Sequence, residues 1–139
     1  MTECVFCEIV AGARPASLVY QDTIALAFMD IRPITPGHLL VIPRRHAASL
    51  AELDEETAAH LLKVGQRLAA GLRASGIRCE GVNLFLADGE AAGQDVFHVH
   101  LHVFPRFPGD GLLITGEWQS PQRAALDQAA ASIRAALGA

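Results

Sequence analysis

Residues 97–104 read Phe97-His98-Val99-His100-Leu101-His102-Val103-Phe104. Strict alternation has the period of a β-strand, so the three imidazoles share one face and Val99, Leu101 and Val103 share the other. The apolar set reads as core. Three of the chain's six histidines thus stand in one five-residue row. Neutral imidazole carries a donor and an acceptor that both need partners, so the row packs poorly but suits chemistry near neutral pH. Neighbouring histidines on a strand lie roughly 6.6 Å apart, so one metal ion gathers two easily and three only on a bent strand. Separate tasks for each histidine fit the spacing better. A metal-dependent hydrolase built on the whole row is the competing chemistry.

The chain has 139 residues, 51% of them hydrophobic, enough for one domain spanning 1–139 with its own core. Apolar runs such as Leu39-Leu40-Val41-Ile42 fall far short of the roughly 20 residues of a membrane span. The opening Met-Thr-Glu-Cys lacks the basic and apolar regions of a signal peptide. A net charge of −4, from 11 basic and 15 acidic residues, argues against bulk binding to nucleic acid or anionic membranes. Three cysteines in such a chain are expected to be reduced thiols, and a cytoplasmic setting follows.

Outward from the row, the pattern predicts a short helix over Glu8–Ala11 that ends at Gly12. Two strands follow, Ser17–Tyr20 and Ile24–Asp30, with Gln21-Asp22 as the turn. Pro33 and Pro36-Gly37 precede a third strand, His38–Ile42, which Pro43 ends. Asp54 caps a long helix to Ala74 whose buried stripe is Leu61, Leu62, Val64, Leu68 and Leu72, and Gly76 terminates it. Val82–Ala87 is the fourth strand, and the loop Asp88–Asp95 leads into the histidine strand. A loop follows Pro105. A C-terminal helix over residues 121–137 should turn Leu126, Ile133 and Leu137 inward. Hairpins crossed by a helix predict an α+β fold with an antiparallel sheet.

Cys4-Val5-Phe6-Cys7 is a C-x-x-C pair, either half of a zinc site or a redox pair. It does not sit in a thioredoxin-like βαβ pattern. Two further ligands would come from Cys79, His38, His46 or His60; His46, just beyond a strand end, is well placed, whereas His60 should face solvent. Gly93 lets the backbone approach a ligand, and Gln94 offers both donor and acceptor. Asp30, ending an apolar strand, either binds ribose hydroxyls or caps the turn to Arg32.

With the histidine row, Gly93-Gln94, Thr35-Pro36-Gly37-His38 and the C-x-x-C pair, the chain resembles the histidine triad family from Cys4 to Arg106. Phe28-Met29-Asp30-Ile31 and Val41-Ile42-Pro43 add to the likeness, which is strongest to the small nucleotide-binding branch. The resemblance implies a five-stranded antiparallel sheet with one long helix and a C-terminal helix, dimerising to ten strands. It implies a nucleotidyl hydrolase or transferase acting at the α-phosphate of purine nucleotide conjugates: phosphoramidates, AMP esters or dinucleoside polyphosphates. Carried over by position, His100 is the nucleophile, His102 binds phosphate oxygens and His38 orders the imidazoles. Gln94 holds a non-bridging oxygen and Asp30 the ribose, while Val5, Phe6, Ile9 and Phe28 line the base pocket. Zinc-carrying relatives imply Cys4, Cys7, His46 and His98 as a closed structural zinc site, with no metal required for the chemistry.

Two positions depart from the family pattern. Ala87 stands where relatives carry Asn or Gln, and Asp95 where they carry Ser or Thr near the leaving group. An acid beside phosphate is unfavourable unless protonated or turned away, so leaving-group preference is the open property. A non-catalytic nucleotide-binding or scaffolding protein is the alternative of a different class.

Overall fold

The computed structural model describes residues 3–138; Met1, Thr2 and Ala139, the ends of the expected 1–139 unit, lie outside the described residues. A five-stranded antiparallel sheet carries the fold, in the order β1-β2-β3-β5-β4. Its strands are β1 (Leu18–Gln21), β2 (Ala25–Met29), β3 (Leu39–Pro43), β4 (Gly81–Leu86) and β5 (Leu101–Arg106). Among the described residues three α-helices accompany it: α1 (Val5–Val10), α2 (Glu55–Ala74) and α3 (Arg123–Ala136). No helix among the described residues is long and apolar enough to cross a membrane.

Pleating sorts the strand residues between two cores. Ala27 pairs with Val41 and Leu39 with Val103, and these side chains join Val99 and Leu101 against Leu61, Val64, Leu68 and Leu72 of α2. Leu26 pairs with Ile42 and Phe28 with Leu40 on the opposite face, where Phe6 of α1 covers them. His102 pairs with Leu40 and therefore belongs to this second face. The helix-covered face holds the fold together, and the other carries the histidines.

Asp54 caps α2 by accepting the Thr57 N–H at 3.0 Å, and Gly76, at φ +83°, ends the helix in the left-handed conformation. Leu62, expected in the buried stripe, is 58% exposed, because it points away from the sheet that Leu61 and Val64 contact. Gly37 sits at φ +102°, and a Cβ there would meet Ile77, Leu72 and Pro105 at 3.1–3.3 Å. That tight turn sets His38 at the start of β3.

Four local expectations change. The first helix begins at Val5 rather than Glu8, because Cys4 Sγ accepts the Cys7 N–H and caps it. The regular histidine strand begins only at Leu101 and runs through Pro105, since its pairing with β3 stops at Val41↔Leu101 while pairing with β4 extends to Gly81↔Arg106. His60 does not face solvent: Asp22 Oδ2 lies 2.6 Å from its Nε2 and so ties α2 to the first hairpin. Leu126 and Ile133 of α3 and Leu137, which caps its C-terminus, do not turn inward; they are 43%, 62% and 76% exposed, because α3 buries none of its residues.

Asp22 is the polar anchor of this layer. Burial pulls its carboxyl up, but the Ala25 N–H, His60, the Tyr20 hydroxyl and the Ile24 N–H outweigh it and hold the group well below the usual carboxylate range. A depressed carboxyl stabilises the fold above its unfolded pKa of about 3.9, and that contribution disappears as pH falls through the folded value. Asp22→Asn should therefore lower the unfolding free energy at pH 7 by roughly 1–3 kcal/mol, read as a lower urea midpoint. The gap between variant and wild type should narrow below pH about 4, which paired denaturation curves would measure.

Candidate active site and metal centre

Hydrogen bonds to backbone groups assign the tautomer of each imidazole, because a carbonyl only accepts and an N–H only donates. His98 Nε2–H donates to the Pro43 carbonyl at 2.8 Å, which leaves Nδ1 as a lone pair. His100 Nδ1–H donates to the His98 carbonyl at 2.8 Å, which leaves Nε2 free. The Ile34 N–H donates to His38 Nδ1 at 3.0 Å, so His38 Nε2–H donates to His102 Nδ1 at 2.9 Å. The remaining proton of His102 therefore sits on Nε2. The row splits into three environments, and one shared metal site does not form from it.

The His98 lone pair faces a cluster of donors. Its Nδ1 lies 3.3 Å from Cys4 Sγ, 3.6 Å from Cys7 Sγ and 3.3 Å from His46 Nδ1, and Cys7 Sγ lies 3.4 Å from His46 Nδ1. A tetrahedral zinc ion with ligand bonds of about 2.0–2.1 Å to nitrogen and 2.3 Å to sulfur separates its donors by about 3.4 Å (N to N) and 3.6 Å (N to S). The donor set fits that ion in number, chemistry and spacing. Burial, and Cys4 beside it, push the Cys7 thiol up to about 11; a divalent cation reverses this balance by binding the thiolate.

Beside the cluster opens a cavity of about 440 Å³. His100, His102 and Asp30 line it together with the apolar Val5, Phe6, Ile9, Phe28 and Leu40. Phe6 stands edge-on to Phe28, His98 and His100, with ring centroids 5.5, 5.8 and 5.3 Å away. Such a volume, mostly apolar with a few convergent polar groups, has the build of a small-molecule site. Asp30 caps the turn through Oδ1, which accepts the Arg32 N–H at 2.8 Å, and its Oδ2 lies 3.5 Å from His38 Nε2.

A model of the family described as HIT domain matches residues 11–109. The chain belongs to the HIT domain family. An uncharacterised HIT-like protein of Mycobacterium tuberculosis is 46% identical over 111 residues, 80% of this chain and 76% of the relative. An adenosine 5′-monophosphoramidase of Schizosaccharomyces pombe is 38% identical over 103 residues, 74% of each chain. The solved structure of a zinc-bound histidine triad family protein from Mycobacterium smegmatis superposes with a TM-score of 0.77 at 44% identity, covering 93% of this chain and 96% of that one.

Most of the residues that the family resemblance singles out meet here. Cys4, Cys7, His46 and His98 form the donor cluster, and His100, His102, Asp30, Val5, Phe6, Ile9 and Phe28 surround the cavity. His38 stands behind His102 and orients it. The structure places Gln94, buried, in the loop before the row. Its Oε1 accepts the Gly89 N–H at 2.8 Å, and its Nε2 donates to the carbonyls of Ala48 and Val96, so the buried amide clamps the loop before the row. Arg14 and Arg32 also border the cavity. Neither stands out in the sequence, where a lone arginine in a loop carries no periodic signal.

Burial, then the positive charge that His100 and His38 can carry, pushes His102 down to about 4, and burial likewise lowers His38 and His98. His102 is thus a neutral donor at physiological pH. Unfolded histidine takes up a proton near pH 6.5, whereas folded His102 refuses it until about 4, so stability is lost as pH falls through that window. Urea midpoints should decline from pH 7 to 4.5, and His102→Gln should flatten part of that decline.

Proposed function

We propose that this chain is a nucleotidyl hydrolase or transferase that cleaves purine nucleotide conjugates at the α-phosphate through a covalent nucleotidyl-histidine. Phosphoramidates, AMP esters and dinucleoside polyphosphates are the substrate class. One observation carries the reading: His100 presents an unprotonated Nε2 to the cavity because its Nδ1–H is spent on the His98 carbonyl. A neutral imidazole attacks phosphorus without first losing a proton, and splitting one hard displacement into two lowers the barrier.

In the first step Nε2 forms the N–P bond while the bond from phosphorus to the departing group breaks; the departing nitrogen or oxygen keeps the electron pair and takes a proton from solvent. In the second, water forms the new P–O bond, the N–P bond breaks, and the water's proton passes to solvent. The Nε2–H of His102 would donate to a phosphoryl oxygen, and fixed donors of this kind stabilise the charge of the transition state. His38 holds that proton in place from behind. Asp30 Oδ2 would accept from a ribose hydroxyl, and Val5, Phe6, Ile9 and Phe28 would pack the base. The monophosphoramidase activity named for the fission-yeast relative supports this substrate class.

Cys4, Cys7, His46 and His98 would hold zinc, as the zinc-bound relative supports. Two sulfurs and two nitrogens close the coordination sphere, so the ion would supply folding energy rather than an open Lewis-acid position. A homodimer is part of the proposal. Strand β4 ends the sheet and leaves Leu84 and Phe85 39% and 50% exposed, an apolar edge suited to pairing with a second copy. The free thiols fit a cytoplasmic setting.

Rapid quenching during turnover of an AMP phosphoramidate should trap one adenylyl group per chain, detected by mass spectrometry. His100→Ala should show no adduct and lose about 10³-fold or more in kcat. Chelation of the metal should lower the melting temperature while the folded protein still forms the adduct; loss of the adduct in folded, chelated protein would favour metal-dependent hydrolysis instead. Light scattering should return twice the mass of one chain.

A further inference from the structure

The lining of the cavity includes an exposed charged pair without a duty in the reaction proposed for His100. Asp95 Oδ1 lies 3.7 Å from His100 Nε2, and Asp95 Oδ2 lies 3.9 Å from Arg32 Nη2. Both residues border the cavity. The Arg32 contact joins side chains that are 86% and 65% exposed, so it is a solvated pair that neutralises little. It also engages only the outer oxygen. The inner oxygen accepts the Val96 N–H at 2.9 Å, which fixes its aim, and the loop beneath is clamped by the buried Gln94 amide. Asp95 is exposed, yet its position is built.

The other charged groups of the cavity are engaged elsewhere. Arg14 pairs with Glu8 at 2.9 Å, and Asp30 faces the Arg32 N–H and His38. Among the described ion pairs, Asp95 alone sets a carboxylate against His100 Nε2. Phosphorus sits about 3–3.5 Å from an attacking atom before in-line displacement. The departing group then begins within Coulomb reach of Asp95. Every candidate substrate carries the same α-phosphoryl charge, so its repulsion by Asp95 cancels between substrates. What remains is the charge on the departing group.

We propose that Asp95 is a specificity-determining residue that selects nucleotide conjugates with a cationic departing group, such as amides of diamines or of basic side chains, over anionic ones. The inference rests on the nucleotidyl-transfer reading of His100 and deepens it by naming the leaving-group class. Unit charges about 5 Å apart at a half-solvated surface interact strongly enough to shift relative rates by roughly tenfold, less at high salt.

The test uses three AMP amides with the same P–N bond, made from ethylenediamine (ammonium tail), propylamine (neutral) and β-alanine (carboxylate tail). Wild-type protein should rank kcat/KM in that order. The cation-to-anion ratio should fall about tenfold in Asp95→Asn, invert in Asp95→Lys and shrink at high salt. A drop in kcat/KM that is equal for all three amides in Asp95→Asn, with the ratio unmoved, would overturn the proposal and leave nucleotidyl transfer standing. Wild-type protein that binds AMP in calorimetry but turns over none of the three would sink the transfer reading and this inference with it.

Discussion

The carbonyl oxygen of His98 accepts the Nδ1 proton of His100 at 2.8 Å, and the arrangement of the site follows from that contact. It decides which nitrogen of His100 keeps a lone pair and where that lone pair points. The carbonyl can do this only if its own residue is held still. His98 is held at one ring nitrogen by Pro43 at the end of β3 and at the other by the cysteine cluster, while the Val99 N–H donates to Ala47 at 2.8 Å. A rotation of the His98 peptide would release the ring of His100. The cysteine–histidine donor cluster and the proposed nucleophile are therefore joined through one peptide unit.

The sheet divides its labour by face. Ala27, Leu39, Val41, Leu101 and Val103 are spent on α2, a closed apolar layer with no chemistry in it. The opposite face carries imidazoles and is covered only in part, by a helix of six residues. That short helix has two tasks: Cys4 and Cys7 belong to the donor cluster, while Val5, Phe6 and Ile9 wall the cavity. A helix of that length is not stable by itself. Its place depends on Phe6 packing against Phe28 and on the sulfurs meeting the histidines.

Much of this architecture is legible in the order of residues. The alternation from His98 to Val103 assigns faces correctly, although regular pairing begins only at Leu101, because the pleat of an extended backbone is local and needs no partner strand. Asp54 and Gly76 mark the ends of α2 through chemistry confined to one turn. The partners of the C-x-x-C pair are not readable from spacing alone; Cys79, His38, His46 and His60 stay open until family resemblance narrows them. The contacts of Gln94 and His60 are hidden from the sequence for a common reason. Each is polar, and the backbone carbonyl or carboxylate that claims it comes from a segment remote in sequence. The stripe of α3 misleads in the opposite sense, since periodicity shows that a face is apolar but not that anything covers it.

By itself the sequence determined the α+β class, the two-faced histidine strand and the residue types gathered at the candidate site, because periodicity, caps and motif spacing act over a few residues. Only the tertiary structure decided how those residues are used. Tautomers depend on which backbone group meets each ring nitrogen, and donor spacing depends on α1 docking against the sheet. The carboxylate of Asp95 reaches 3.7 Å from His100 only because Gln94 ties its loop to Ala48, 46 positions earlier in the chain. Contacts of that kind depend on the path of the whole chain, and no local pattern encodes them.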